Sequence, residues 1–447
     1  MASAAEQLAA SINFGAFSKA TELKKRIWFT LGALIVYRLG TYIPLPGIDT
    51  VALSHIFQQN AGGILGMFNM FSGGALQRMT IFALNIMPYI SASIILQLMT
   101  SVSPSLEALK KEGEAGRKKI NQYTRMATAL LAAVQAYGIA IGLEGMSAGG
   151  GAAVMNPGLF FRLTTVITLT GGTIFLMWLG EQITSRGVGN GISLIIFSGI
   201  VANLPNSLGQ LFELGRTGAM SYGIIIVMLI MAVLVVAGIV FFERAQRRII
   251  VQYPKRQVGN RMFGGESSHL PLKLNSSGVI PPIFASSILL LPLTVAGFSG
   301  QSGPEWLEVI VGYISRGHPL YMALYAALII FFAFFYTAIV FNPVDTADNL
   351  KKYGGFIPGI RPGKNTADYL DYVLTRLTVV GAIYLAVVCL LPEILIYKYQ
   401  LPFYFGGTSL LIVVSVTMDT VAQVHSHLLA HQYEGLIKKA KLRGSRR

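Results

Sequence analysis

Long apolar segments recur along the chain and are separated by shorter polar connections. Ten of them approach the roughly 20 residues that a helix needs to cross a bilayer core, and none shows the period-two alternation of a membrane β-strand. The pattern therefore predicts an all-α integral membrane protein with ten transmembrane helices. Their approximate ranges are 27–45, 77–99, 126–143, 159–179, 191–208, 220–242, 278–297, 320–341, 373–392 and 403–424.

The composition agrees with a membrane protein. Of the 447 residues, 53% are hydrophobic and 12% are charged, whereas soluble globular domains contain about 25% charged residues. A soluble enzyme, a disordered chain and a disulfide scaffold are therefore disfavoured. The single cysteine, Cys389, lies in an apolar segment, and residues 1–26 lack the apolar core of a signal peptide.

The basic residues orient the chain in the membrane. An even number of helices places both termini on one side. Of the 35 Lys and Arg residues, 28 lie in the two terminal segments or in the connections that follow every second helix. Because positively charged connections stay in the cytoplasm, both termini are predicted to be cytoplasmic. The net charge of +15 then reflects topology rather than nucleic-acid binding.

The chain is predicted to divide into two pseudo-symmetric halves of five helices. A cytoplasmic segment, 1–26, precedes the N-terminal half, 27–208, and an outer connector, 209–219, leads to the C-terminal half, 220–424. The residues 425–447 form a cytoplasmic tail. Because each half has an odd number of helices, the halves enter the membrane in inverted orientations. Inverted repeats place a pathway between them.

The segment 61–74, AGGILGMFNMFSGG, is apolar but too short to cross a bilayer. Spacing alone leaves two interpretations open: an amphipathic helix on the outer surface, or a short re-entrant plug in a water-lined cavity. In the second interpretation, the flanking glycines act as hinges. The plug residues are then Gly62, Gly63, Ile64, Leu65, Met67, Phe68, Asn69, Met70, Phe71, Gly73 and Gly74.

Motifs for catalysis or cofactor binding are not apparent. No P-loop is present, and GVGNG at 187–191 is not expected to bind a dinucleotide, because no soluble strand precedes it. His427 and His431 have the i, i+4 spacing of metal ligands, but a fourth ligand is lacking. Acidic residues at membrane depth, which proton-coupled carriers use, are also missing. We therefore expect no enzyme activity, no cofactor and no metal site.

The predicted membrane architecture is also compatible with two functions of other classes, a secondary transporter and an intramembrane hydrolase. A secondary transporter for a small anionic solute also uses inverted repeats, and its buried charges would have to be Arg38, Arg162 or Arg376. An intramembrane hydrolase would need a base beside its nucleophile, and no histidine lies at the centre of a predicted helix. The transporter is the stronger alternative.

Two basic connections, 243–277 and 342–372, are longer than a link between helices requires. Retention in the cytoplasm and contact with anionic lipid would explain their charge. A docking site for a cytoplasmic partner would also explain their length and their arginines, because arginine binds carboxylate and phosphate groups in a bidentate manner. The candidate docking residues are Arg244, Arg247, Arg248, Lys255, Arg256, Arg261 and Arg361.

Long stretches of the sequence resemble the SecY family, the channel subunits of the bacterial Sec protein translocase. They include MFNMFSGGALQRMTIFALNIMPYISASI (67–94), MWLGEQITSRGVGNGISLIIF (177–197) and FNPVDTADNLKKYGGFIPGIRPG (341–363). The resemblance implies a gated pore in the bacterial cytoplasmic (inner) membrane. Such a pore passes unfolded secretory polypeptides and releases transmembrane segments sideways into lipid. The resemblance also favours the plug interpretation, for about 62–78.

The resemblance implies specific roles for apolar and polar positions along the predicted pathway. The lateral gate, between helices 77–99 and 278–297, includes Ser91, Gln97, Ser287 and Leu291. A ring of apolar side chains at the constriction would exclude water without holding a sliding peptide. This pore ring maps to Ile86, Ile90, Ile192, Ile196, Ile283 and Ile412.

The partners that the resemblance implies are SecE and SecG as companion subunits, the SecA motor, the ribosome, signal-sequence-bearing polypeptides and membrane lipid. SecD, SecF and YidC are candidate accessory subunits. Because the chain has no nucleotide site of its own, the energy for transport is expected to come from the motor or the ribosome. Arg361 matches the family's loop-tip arginine, which is used in that coupling.

Overall fold

The computed structural model describes residues 20–59, 69, 72–145, 147–148, 151–218, 221–253, 256–258, 261–263, 267–298, 318–399 and 407–444. In these residues each of the ten predicted spans overlaps a helix. The helices are α1 (Thr21–Gly40), α2 (Thr50–Gln59), α3 (Met87–Val102), α4 (Pro104–Lys111), α5 (Glu114–Gly145), α6 (Leu159–Arg186), α7 (Gly191–Arg216), α8 (Tyr222–Arg244), α9 (Ile280–Phe298), α10 (Pro319–Val340), α11 (Pro343–Lys352), α12 (Lys364–Tyr399) and α13 (Gly407–Gly444).

Length and hydropathy separate these helices into two groups. Among the described residues, seven helices are long and apolar enough to cross a membrane, and an eighth crossing is obtained if α3 and α4 count as one span bent by 97°. The helix α1 falls outside this group because it carries Lys24, Lys25, Arg26 and Arg38 within its length. In α9, the apolar part that passes as a shorter helix is Ile280–Leu289.

The helix α3 begins at Met87 rather than at the predicted residue 77. Pro88 lies in its first turn, where a missing N–H leaves no helical hydrogen bond unmade. Residues 72–86 form turns instead. They are tied to the chain after α1, since the N–H of Leu45 donates to the carbonyl of Met79 at 2.9 Å.

Small antiparallel ladders accompany the helices, and hydropathy did not predict them. They are β1 (Ser147–Ala148) with β2 (Gly151–Ala152), β3 (Gln246–Gln252) with β6 (Ser267–Lys273), and β4 (Arg256–Val258) with β5 (Arg261–Phe263). In β3, Ile249 and Val251 are buried while their neighbours are exposed. The sequence does not show this alternation, because the exposed Ile250 between them is apolar as well.

The chain forms two compact units. The first contains the described residues up to Leu208 and those from Val416 onward, whereas the second contains most of the described residues between them. In the first unit, α5 and α6 are antiparallel and are linked by an ion pair near each end. Arg125 pairs with Glu181 at 2.7 Å, and Arg162 pairs with Glu144 at 2.6 Å. In the second unit, the ladder of β3 and β6 packs on the start of α12.

Candidate functional site

The six residues of the predicted pore ring all lie at or near helix N-termini. In the first unit, Ile86 immediately precedes α3 and Ile90 lies in its first turn, and the N–H of Ile90 donates to the carbonyl of Ile86 at 3.0 Å. Ile192 and Ile196 lie in the first two turns of α7, at the same i, i+4 spacing. The members in the second unit are Ile283, in the first turn of α9, and Ile412, in the second turn of α13.

The ring residues differ in burial. Ile86, Ile90, Ile196 and Ile412 are buried. In contrast, Ile192 and Ile283 are half-buried. The ring itself stays a prediction.

Both helices of the predicted lateral gate, α3 and α9, belong to the described part of the chain. Ser91 on α3 and Ser287 on α9 are buried, and the Ser287 hydroxyl donates to the carbonyl of Ile283 at 2.8 Å. Gln97 on α3 has a buried side-chain oxygen without a hydrogen-bond donor among the described residues. The side chain of Leu291 lies outside the described residues.

Three predicted plug residues, Asn69, Gly73 and Gly74, lie within the described part of the chain. Asn69 organises the segment that follows the plug, because its side-chain oxygen accepts a hydrogen bond from the N–H of Gln77 at 2.8 Å. Its carbonyl accepts a bond from the N–H of Gly74, also at 2.8 Å. The other predicted plug residues, Gly62, Gly63, Ile64, Leu65, Met67, Phe68, Met70 and Phe71, lie outside the described residues.

Two arginines converge on the carbonyl groups of the glycine pair, Gly73 and Gly74. Arg38 of α1 donates to the Gly73 carbonyl at 3.2 Å. Arg78 donates to the carbonyls of Gly73 and Gly74 at 3.3 and 3.2 Å. The Arg78 guanidinium also stacks over the ring of exposed Tyr42, with its central carbon 4.0 Å from the ring centroid. Sequence reasoning missed these contacts. We call these three residues, with the two glycines, the arginine clamp.

Both glycines of the clamp have positive φ, +66° for Gly73 and +84° for Gly74. Glycine adopts this left-handed backbone without the steric penalty that a Cβ brings. The two carbonyls therefore point toward the guanidinium groups without strain in the chain.

The two predicted docking loops form one folded body in the second unit. Gln252, the last residue of β3, exchanges two backbone hydrogen bonds of 2.9 Å with Phe356 of the other loop. Buried Ile249 and Leu272 from the first loop pack with Ile357 from the second. The hydrophobic cluster therefore holds both loops together.

The exposed surface of this body is basic. Arg244, Arg247, Arg248 and Arg361 are exposed, and no ion pair involves them in the described part of the chain. Lys255 and the side chains of Arg256 and Arg261 lie outside the described residues. We call the body made by both loops the basic loop body.

The three arginines required by the anionic-solute alternative all have structural partners. Arg38 binds the Gly73 carbonyl. Arg162 donates two hydrogen bonds to Glu144, at 2.9 and 2.6 Å. The Arg376 guanidinium stacks on Tyr372 at 4.2 Å. Only Arg162 among the three is paired with a carboxylate in the described part of the chain, and Arg38 and Arg376 contact a carbonyl group and an aromatic ring instead.

One acidic residue inside an apolar helix was missed. Glu393 is 7% exposed and lies within α12. It lies one residue beyond the predicted end of the span at 392. The expectation that acidic residues are absent at membrane depth stays a prediction.

Comparisons with known proteins agree on one family. The family model described as SecY matches residues 80–421. The chain is 59% identical over 429 residues to the protein translocase subunit SecY of Rickettsia conorii, which covers 96% of this chain and 99% of the relative.

Solved structures share the fold at low sequence identity. One, described as showing that the plug domain of SecY stabilises the closed state of the translocation channel, has a TM-score of 0.64 at 19% identity. Another, Sec61 in a canine ribosome–channel complex, has a TM-score of 0.61 at 16% identity. Each of these two structural matches covers 91% of this chain and 92% of the matched chain.

Proposed function

The chain belongs to the SecY family, and on this premise we propose that it is the channel subunit of a Sec translocon. It conducts unfolded polypeptide through a gated pore that a plug closes. The observation that carries this proposal is the match of nearly the whole chain to a protein translocase subunit. The role is that of a conduit without catalysis of its own.

The pore ring forms the constriction in this proposal. Branched apolar side chains exclude water when the opening is narrow, and they offer a passing peptide no hydrogen bond that would hold it. Polar stretches of a substrate pass through the ring. Apolar stretches leave between α3 and α9, because their transfer into lipid is favourable.

The basic loop body is the docking surface in this proposal. Four exposed arginines, Arg244, Arg247, Arg248 and Arg361, lie on this body, and a hydrophobic cluster holds its two loops together. Arginine suits bidentate contact with acidic side chains and with phosphate groups. The SecA motor and the ribosome are the partners that dock here. SecE and SecG are the companion subunits. SecD, SecF and YidC are accessory.

The location proposed is the bacterial cytoplasmic membrane, with both termini and the basic loop body in the cytoplasm. The distribution of Lys and Arg among the connections supports this orientation. The proposed division into the N-terminal half 27–208 and the C-terminal half 220–424 places the pathway between inverted repeats.

Crosslinking to an arrested precursor tests the pore ring. A cysteine is introduced at each ring position in turn, and the precursor carries one cysteine in its arrested segment. Native Cys389 is buried and gives a low background. We expect disulfide formation at the six ring positions and none for Ile230→Cys, a matched isoleucine that is 56% exposed on α8. Equal yields at ring and control positions would refute the ring.

Charge reversal tests the docking surface. We expect Arg361→Glu to abolish most motor-driven translocation, because it places a negative charge where an acidic partner must approach. Arg216→Glu, at an exposed arginine of α7, is the matched control. The measurement is the ATP-dependent initial rate in proteoliposomes, together with binding of the motor. A wild-type rate for Arg361→Glu would remove the docking role.

A further inference from the structure

The GVGNG segment, 187–191, is the point where helices α1, α6 and α13 meet in the first unit. The N–H of Val188 donates to the Thr30 hydroxyl of α1 at 3.0 Å. The N–H of Gly189 donates to the side-chain oxygen of Gln423 of α13 at 2.9 Å. The N–H of Gly191 donates to the Thr184 hydroxyl of α6, also at 2.9 Å. Side chains from three separate helices therefore accept hydrogen bonds from three N–H groups of one short segment.

Apolar packing supports the same junction. Val188 is buried in a cluster with Leu23 of α1 and with the partly buried Val424 and Leu428 of α13. The side chain of Val188 thus lies between the first and the last helix of the chain. The polar contacts of Thr30 and Gln423 fix its backbone on both sides.

The junction sets the beginning of α7. Asn190 caps this helix, because its side-chain oxygen accepts hydrogen bonds from the N–H groups of Ile192 and Ser193. A Cβ on Gly191 would overlap the carbonyl of Gly180 in α6, so the two helices approach as closely as glycine allows. The first residue of the pore ring on α7, Ile192, follows directly.

We propose that Gln423 and Thr30 are positioning residues for the pore ring. They act through the N–H groups of Gly189 and Val188, and they hold the first turns of α7 so that Ile192 and Ile196 face the polypeptide pathway. This inference rests on the proposed function, because it takes these two isoleucines as part of the constriction. It assigns the GVGNG segment a role in the geometry of the pore.

The test compares crosslinking at two ring positions on different helices. The whole complex is reconstituted with SecE, SecG, SecA and ATP, and an arrested precursor with one cysteine is trapped in it. Ile196→Cys reports on α7, and Ile86→Cys reports on α3. Gln423→Leu removes the acceptor at nearly constant size. Since one net hydrogen bond corresponds to about a fivefold change in population, we expect about a fivefold lower yield for Ile196→Cys and an unchanged yield for Ile86→Cys.

Conservative replacement separates positioning from general stability. Gln423→Glu keeps an oxygen that accepts the Gly189 N–H, and it is expected to restore the yield at Ile196→Cys. Gln122→Leu, at an exposed glutamine of α5, is expected to change neither yield. If Gln423→Leu fails to accumulate, Thr30→Val with Thr30→Ser as its conservative partner makes the same test from α1.

The outcomes distinguish this inference from the function beneath it. An unchanged yield for Ile196→Cys in Gln423→Leu would overturn the positioning role. An equal loss at both ring positions would overturn it too, because it would indicate a general structural defect. Absence of crosslinks for both cysteines in the otherwise unchanged chain would instead refute the pore ring, and this inference would fall with it.

Discussion

Two glycine-bearing segments of the first unit are held in opposite ways. At Gly73 and Gly74, the backbone presents carbonyl groups, and two long cationic side chains donate to them. At 187–191, the backbone presents N–H groups, and neutral side chains accept hydrogen bonds from them. The first segment is thus held by long charged side chains and the second by neutral side chains.

The two kinds of contact indicate which segment can change its conformation more easily. In the arginine clamp, Arg38 and Arg78 share the Gly73 carbonyl, although two positive charges near one acceptor repel each other. No ion pair holds either arginine in the part of the chain described here. The GVGNG segment combines satisfied hydrogen bonds with closer backbone packing: a Cβ on Gly191 would overlap the Gly180 carbonyl, whereas a Cβ on Gly73 would lie 3.0 Å from the nearest backbone atom, the Cα of Gly199. The clamp is therefore suited to release, and the GVGNG segment to a fixed position.

The largest effect is expected from Gly191→Ala. The new Cβ would overlap the Gly180 carbonyl, a backbone group that cannot move without shifting α6. We expect a loss of about 3 kcal/mol, measured as a lower midpoint of thermal unfolding in detergent. Gly209→Ala, in an open position of the same helix, is expected to stabilise by about 1 kcal/mol. Similar midpoints for both variants would contradict the rigid segment.

A direct comparison of the two segments comes from Gly189→Ala and Gly74→Ala. Their φ angles, +87° and +84°, give alanine nearly the same backbone penalty. At Gly189 the Cβ would also meet Leu194 at 2.9 Å within a packed helix, whereas at Gly74 it meets the movable end of Arg78. We expect Gly189→Ala to cost about 1 kcal/mol more in unfolding free energy.

Gly218→Ala serves as the control for backbone strain, because Gly218 has a φ of +74° and open space around it. Subtracting the cost of Gly218→Ala from the costs of Gly189→Ala and Gly74→Ala removes the backbone penalty and leaves the effect of packing. An equal or greater cost at Gly74 would reverse the comparison.

A smaller effect is expected from Arg78→Gln. The substitution removes the charge and hydrogen bonds to the glycine pair, which we expect to weaken the closed state of the pore. The resting ion conductance of the complex in planar bilayers should rise about fivefold, the equivalent of one net hydrogen bond. Arg216→Gln is the matched control, at an exposed arginine paired with Glu213. A resting conductance equal to that of the control would show that the clamp does not favour closure.

The sequence predicted the helices better than their contacts. Apolar length identifies a membrane helix because the cost of leaving backbone groups unpaired in lipid acts on the whole segment. It does not reveal the partner of Arg38, since the Gly73 carbonyl is 35 residues away. Likewise, the start of α3 depended on Pro88 and on pairing with the chain after α1, not on hydropathy.

The proposed sites, like the helices, were predicted from the sequence in some respects and not in others. The resemblance to a family supplied the ring and gate positions, which no spacing rule selects among so many apolar residues. The basic loops were evident from charge, but their common fold was not. The bridge between Gln252 and Phe356 joins residues that are distant in sequence, and the apolar run of Ile249, Ile250 and Val251 does not show the period-two pattern of a strand.

Protease protection of a signal-bearing precursor tests the central claim most directly. The chain is reconstituted in liposomes with SecE and SecG, and SecA and ATP are added. We predict protected full-length precursor that is lost when either ATP or SecA is omitted. Absence of protection, in a preparation where an established translocase succeeds with the same components, would contradict a motor-driven protein channel.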